Sequence, residues 1–422
     1  MTGLSAAYRL CGKGADVTVL EASGDIGGIA GTFDWGGVPL EKYYHHYFKS
    51  DSFLIGLIKE LGMADSMMWL PAGMGYFAAG RLFNFGTPLS LLKFSPLSFI
   101  DKLGFGAAVL KILHSDDYRR FEEITAEEWM IRNAGRRAYE TVWQPLLVSK
   151  FGERCQDISM AWLWGKIVLR GSSKENGREV LGYIRGSNRL LLDRLAGAVR
   201  QRGGRIILGS PVDSIEWNAG FKVYARGSGF SYDRVIDTSP LPVALKTAGS
   251  MLPDDYTDEK EKIRYTAVSC MILSLDRPLT KYYWLNIGDQ HMPFGGLIEH
   301  TNMLPASDYR GRHILYISNY LYKESRYFGM DRSRVLDEYI PHLKRINPSF
   351  DRSWIEGVHL FTDEYAQPVI GTGYSRIKPG FRTPVKGFYI SDMCGIYPED
   401  RGVNYAIREG WNCADTLMEE AR

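Results

Sequence analysis

The stretch from Thr2 to Thr32, TGLSAAYRLCGKGADVTVLEASGDIGGIAGT, constrains this chain more than any other. Leu4, Ala7, Leu10 and Cys11 recur at helical spacing, Gly12 and Gly14 stop that helix, and Ala15 to Leu20 alternate into a short β-branched strand closed by Glu21. Gly3 stands where the third glycine of a G-x-G-x-x-G turn lets a helix pack closely on a strand. An acidic residue about 20 residues beyond such a turn accepts hydrogen bonds from ribose hydroxyls. Gly27 and Gly28 then let the backbone approach a phosphate or a ribityl chain with no Cβ in the way. The stretch reads as part of a dinucleotide-binding βαβ unit. Met1 falls where the glycine turn is half finished, so the first strand and the first two glycines are expected to be missing.

The spacing E-x5-GG-x-x-[GA]-[ST], here Glu21, Gly27, Gly28, Gly31 and Thr32, resembles the FAD signature of the protoporphyrinogen oxidase and amine oxidase superfamily. Ile29 stands where that family usually has Arg, a departure that bears on amine-oxidase chemistry more than on FAD binding. The resemblance implies an α/β fold: a discontinuous FAD-binding Rossmann-like domain, a mixed α+β substrate domain and a helical insertion. We expect the FAD domain over 1–68, 180–245 and 371–422, the helical cap over 69–179 and the substrate domain over 246–370. Without its first strand the chain is expected to hold FAD weakly or to fold poorly.

Composition narrows the function. A formal net charge of +2 calls for no nucleic-acid partner. Cys11, Cys155, Cys270, Cys394 and Cys413 lie far apart without a C-x-x-C pair, which fits reduced thiols in a cytoplasmic protein and offers no zinc site. No apolar run reaches the roughly 18 residues of a spanning helix. With 25 Tyr, 19 Phe and 10 Trp the chain has aromatic residues to spare for a sizeable pocket, and Trp284, Tyr316, Tyr320 and Tyr365 are candidates for it.

His45 and His46 are adjacent and cannot both point one way on a strand, so they are not read as a metal pair. His46-Tyr47-Phe48-Lys49-Ser50-Asp51 is similar to the H-x-F-x-[ST]-D segment of UDP-galactopyranose mutases, and that resemblance places His46 beside the flavin. Asp51 is expected to cap the next helix. Ala79-Gly80 reads as a hairpin turn, and residues 88–113 as two short apolar helices broken near Pro96. By resemblance to protoporphyrinogen oxidases, the alternative to packing for 88–113 is peripheral membrane contact. Thr125 to Glu128 is a capping box. Lys150 is expected to snorkel to solvent, with contact to an acidic or diphosphate substrate as the rival reading. Asn188 is expected to cap a helix.

Near the end, Lys386 to Asp392 and Gly402 to Gly410 resemble the element that closes the flavin site in this superfamily, although the glycine before the aspartate is absent. The resemblance assigns Val212 to the adenine and Asp392 to the ribityl or phosphate end. A helix starting near Gly402, Val403 and Asn404 would aim its free N–H groups at the flavin pyrimidine. The expected function is an FAD-dependent oxidoreductase passing hydride from a small organic substrate to flavin. The alternative is a mutase-like sugar isomerase, which needs Arg170, Arg185, Arg326 and Arg376 gathered round a diphosphate; a flavin-free scaffold is a third reading.

Overall fold

Gly410, in the last helix, lies so close to the first helix that a Cβ there would sit 2.5 Å from the Thr2 carbonyl oxygen. A computed structural model describes residues 1–171, 173–175 and 178–420; the expected ranges 69–179 and 371–422 run over residues outside these. The helix Thr2–Gly12 buries Leu4, Ala7, Leu10 and Cys11, as its spacing predicts, and packs between Val403–Glu420 and Ser187–Gln201. Ala7, Leu57, Leu192, Leu195, Val199 and Ile407 share one apolar core, so the beginning, middle and end of the chain converge.

Two parallel pairs lie beside these helices: Thr18–Leu20 with Arg205–Ile207, and Val235–Asp237 with Phe388–Ile390. A Cβ on Gly3 would stand 2.8 Å from Thr238 Oγ1, just past the strand Val235–Asp237, so the first helix approaches that strand's end closely. Val212 opens the antiparallel strands Val212–Trp217, Phe221–Ala225 and Ser228–Tyr232.

The largest sheet has seven strands, in the order Ile355–Pro368, Tyr265–Leu275, His313–Leu321, Gly296–Glu299, Trp284–Ile287, Met74–Ala78 and Arg81–Asn84. The last two are the expected hairpin, turning through Ala79 and Gly80, both at positive φ. Their position corrects the boundary of the helical cap: Met74–Ala78 pairs in parallel with Trp284–Ile287, so the hairpin extends the sheet of the 246–370 segment. Ile355–Pro368 carries little strand signal in its sequence, because Glu356, Gly357, Asp363 and Glu364 interrupt its apolar pattern.

The 88–171 region is helical. Pro88–Leu92 and Phe99–Leu113 flank Pro96, each opened by a capping box, and Thr125 and Glu128 form the box foreseen for Ala126–Ala134. One expected cap stands in position without its side-chain bond, and a second is corrected. Asp51 is the N-cap residue of Ser52–Glu60, but its side chain accepts from Phe48 N at 2.8 Å, and it is Asn404 Oδ1 that reaches Leu54 N, at 3.1 Å, in the first turn. Asn188 lies inside Ser187–Gln201; its backbone N–H donates to Glu41 Oε1 at 2.9 Å.

Candidate active site

Residues from four distant stretches line one cavity. The segment after the glycine pair contributes Ile29 and Tyr43 to Phe48; the helical region contributes Lys150, Lys166 and Arg170; the large sheet contributes Cys270, Trp284 and Tyr320; and the start of the last helix contributes Asp400 to Tyr405. The 43–48 segment is held in place because Tyr47 and Gly182 exchange backbone hydrogen bonds of 2.9 and 2.7 Å, and the Tyr47 hydroxyl donates to Asn188 Oδ1.

Glu41, which the sequence did not single out, anchors that segment from behind. It is fully buried, accepts from the Tyr183 hydroxyl at 3.0 and 3.1 Å and from Asn188 N, and burial pushes its carboxyl up to about 6. The only local hint was an acidic residue ending a short strand after Leu40.

His45 and His46 both line the cavity. His46 Nδ1 lies 3.2 Å from the Tyr283 hydroxyl, and its ring meets Trp284 edge-on at 5.7 Å. Burial, with Arg170 nearby, lowers His46 to about 3, and burial lowers His45 to about 4. Both rings are therefore neutral near pH 7 and act through hydrogen bonds.

The expectation that Lys150 snorkels to solvent is corrected: burial among apolar neighbours is met by a counterion instead. It donates to Asp400 at 2.7 and 3.0 Å, Lys166 donates to the same carboxylate at 2.8 Å, and the Lys150 ammonium lies 4.9 Å from the Trp162 ring. These cations hold Asp400 well below the usual carboxylate range against its burial, while burial and the neighbouring Lys166 and Arg401 pull Lys150 down. Of the expected aromatics, Trp284 and Tyr320 reach the cavity; Tyr316 spends its hydroxyl on the Glu41 carbonyl at 3.0 Å, and Tyr365 packs on Tyr265.

The predicted nucleotide-contacting residues divide. Gly402, Val403 and Asn404 stand at the cavity, where the first N–H groups of Val403–Glu420 precede any intrahelical acceptor. Gly28, at φ 56°, has open space where a Cβ would lie, whereas Gly31 is packed on the Gly28 carbonyl oxygen. Glu21 lies near the Met1 amino group at the start of the first helix, and its backbone oxygen accepts from Ser210 N at 2.8 Å, two residues before Val212. Thr32 is buried in the hairpin Thr32–Trp35 with Val38–Glu41. Asp392 differs: its carboxylate accepts from Leu241 N at 3.0 Å, from the Tyr265 hydroxyl at 2.5 Å and from Met393 N, so it caps the helix Leu241–Ala248.

Open backbone at Gly28 and Gly402, a carboxylate at the first helix and a helix N-terminus aimed at an aromatic cavity together fit a flavin nucleotide. The arginines required by the isomerase reading are not gathered. Arg170 lines the cavity, but Arg326 pairs with Glu338 and Arg376 with Glu123 on the exposed surface, and Arg185 lies in an exposed turn.

Comparison with known proteins agrees. The chain is 24% identical over 309 residues to a coproporphyrinogen III oxidase of Staphylococcus aureus, covering 65% of this chain and 66% of that protein's length. A protein from Exiguobacterium sp. 255-15 classed as a protoporphyrinogen oxidase shares the fold at a TM-score of 0.80, with 16% identity over 99% of this chain and 97% of that one. A triple mutant of putrescine oxidase matches at a TM-score of 0.75, with 17% identity over 99% and 97% of the two chains. Residues 1–418 match the flavin containing amine oxidoreductases, and the chain belongs to that family.

Proposed function

We propose that the protein is an FAD-dependent oxidoreductase that takes hydride from a small organic molecule held in this cavity. The observation that carries the reading is that Gly402 to Tyr405, at the N-terminus of the last helix, and Ile29 with Tyr43 to Phe48, after the glycine pair, line the same cavity. Glu21 is assigned to the ribose, Gly27 and Gly28 to the backbone approach, the strand start at Val212 to the adenine side, and the N–H groups of Val403 and Asn404 to the pyrimidine ring. Bound flavin supplies the hydride acceptor. The chain's own contribution is positional and electrostatic. The helix N-terminus favours negative charge in the cavity, neutral His46 orients through its bond to Tyr283, and Trp284 and Tyr320 restrict water.

Release of bound nucleotide by heat, with mass and chromatographic identification, tests the cofactor. FAD at one equivalent, reduced anaerobically by substrate, is the expected result; FMN, or protein without flavin, would overturn the reading.

The 88–113 region is proposed to touch a membrane surface. Among the described residues no helix is long and apolar enough to cross a bilayer. Yet Leu89, Leu92, Phe99, Ile100, Leu103 and Leu110 are all exposed, Ile100 at 79%, with Lys93 and Lys102 close to them in sequence. Such a patch, fringed by cations, suits shallow insertion among anionic headgroups.

A further inference from the structure

The cavity wall is cationic beyond what its own carboxylates balance. Lys166 and Arg170 are four residues apart on the helix Met160–Gly171 and so share a face; Lys150 comes from Gln144–Phe151, and Arg401 from the turn before the last helix. Against these four, the cavity holds two carboxylates. Asp400 is shared by Lys150 and Lys166, and Asp51 accepts from Phe48 N. Arg170 has Glu179 at 3.9 Å, the loosest of these ion pairs.

Arg401 is the telling member. Among the described residues it has no carboxylate within ion-pair distance. Its Nη2 donates to the Tyr320 hydroxyl at 2.6 Å, and its Nε is buried without a hydrogen-bond partner. The buried Nε leaves a charged donor free in the cavity wall, which a bound anion would complete. Trp284 under Arg170 at 5.2 Å and Tyr320 under Arg401 at 5.7 Å hold the two guanidiniums by their faces and add stacking surface beside them.

We propose that Lys166, Arg170 and Arg401 form an anion-binding subsite, so that the molecule oxidised here carries a phosphate or carboxylate group rather than a protonated amine. This rests on the flavin-oxidoreductase reading of the same cavity. An ammonium group entering it would meet like charge at close range, whereas a phosphate or carboxylate would complete Arg401 and accept from Lys166.

The test titrates the flavin-loaded protein with inorganic pyrophosphate, citrate and putrescine, following the visible flavin spectrum and tryptophan fluorescence from Trp284 beside Arg170. Saturable perturbation by pyrophosphate or citrate, weakening with salt, is expected, with putrescine silent. A response to pyrophosphate alone identifies a phosphate site, and one to citrate alone a carboxylate site. K166M and R401M should each weaken anion binding by about tenfold or more, and R401K should recover part of the loss. Binding of putrescine with both anions silent, no response to any probe, or wild-type anion affinity in both variants would overturn the proposal. Should a variant fail to fold, the anion-over-diamine preference of the unaltered protein decides. Protein that binds the anions by fluorescence but holds no flavin would sink the oxidoreductase reading and leave the subsite standing.

Discussion

Glu41 accepts the backbone N–H of Asn188 at 2.9 Å across 147 positions of sequence, tying the hairpin before the cavity to the start of Ser187–Gln201. Truncation in E41A leaves that N–H buried without a partner and takes from the Tyr183 hydroxyl its carboxylate acceptor. We expect a loss of about 3 kcal/mol in urea unfolding, with flavin released more readily, and a loss of about 1 kcal/mol in E41Q, which keeps one acceptor.

Asp400 serves two lysines, so its removal and theirs are unequal. D400N strands Lys150, only 12% exposed, without a counterion and should cost about 3–5 kcal/mol. K150M leaves Asp400 with Lys166 and should cost less than half as much. Matched denaturation curves for the two variants check this; equal losses would contradict the shared-carboxylate picture.

Gly410 is where the two helices bracketing the chain come closest. The Cβ of G410A would lie 2.5 Å from the Thr2 oxygen and 3.1 Å from Ala6 N, both backbone atoms. Overpacking of about 2–3 kcal/mol is expected, visible as a lower denaturation midpoint. G197A, in the helix Ser187–Gln201 with nothing within 4 Å, is the control and should be neutral or mildly stabilising.

Acid stability follows from two opposed sets of groups. His45, His46 and His300 are lowered to about 4, 3 and 3, while Glu41, Asp51 and Glu299 are raised to about 6, 6 and 7. From about pH 6 down to 4.5 the unfolded chain carries extra protons on the histidines and the folded chain extra protons on the carboxylates, so these contributions nearly cancel. Between about pH 4.5 and 3.5 the carboxylates of the unfolded chain take up their protons too, Asp51 last, and the histidine contribution emerges, cut back as folded His45 begins to titrate. Stability from this set then falls by about 1–2 kcal/mol per pH unit. Chemical denaturation between pH 3.5 and 7 should show a shallow region followed by a steeper loss below about pH 4.5, and H46Q should remove more than half of that steeper slope.

The exposed apolar face predicts binding to anionic vesicles. The triple variant F99D/I100D/L103D should abolish cosedimentation, each substitution removing about 2 kcal/mol of buried apolar surface, and should leave unfolding little changed because the three side chains are exposed. Unchanged cosedimentation would assign the face to another partner.

Short-range order was legible in the residues themselves. The 3.6-residue spacing of Leu4, Ala7 and Leu10, the Ala79-Gly80 turn and the Thr125–Glu128 box need only neighbours within a few positions, and each stands where its spacing places it. The glycine and acidic signature of Glu21 to Thr32 was enough to indicate the cofactor class, because close backbone approach leaves its mark on residue type. Tertiary structure alone decided the partners. Asn404 caps a helix 350 positions away, Asp400 meets Lys150 across 250, and Asp392 turns to Leu241 and Tyr265 instead of standing free. Such pairings arise where separate segments are forced together by burial of apolar faces, and a buried charge takes whichever counterion that convergence supplies.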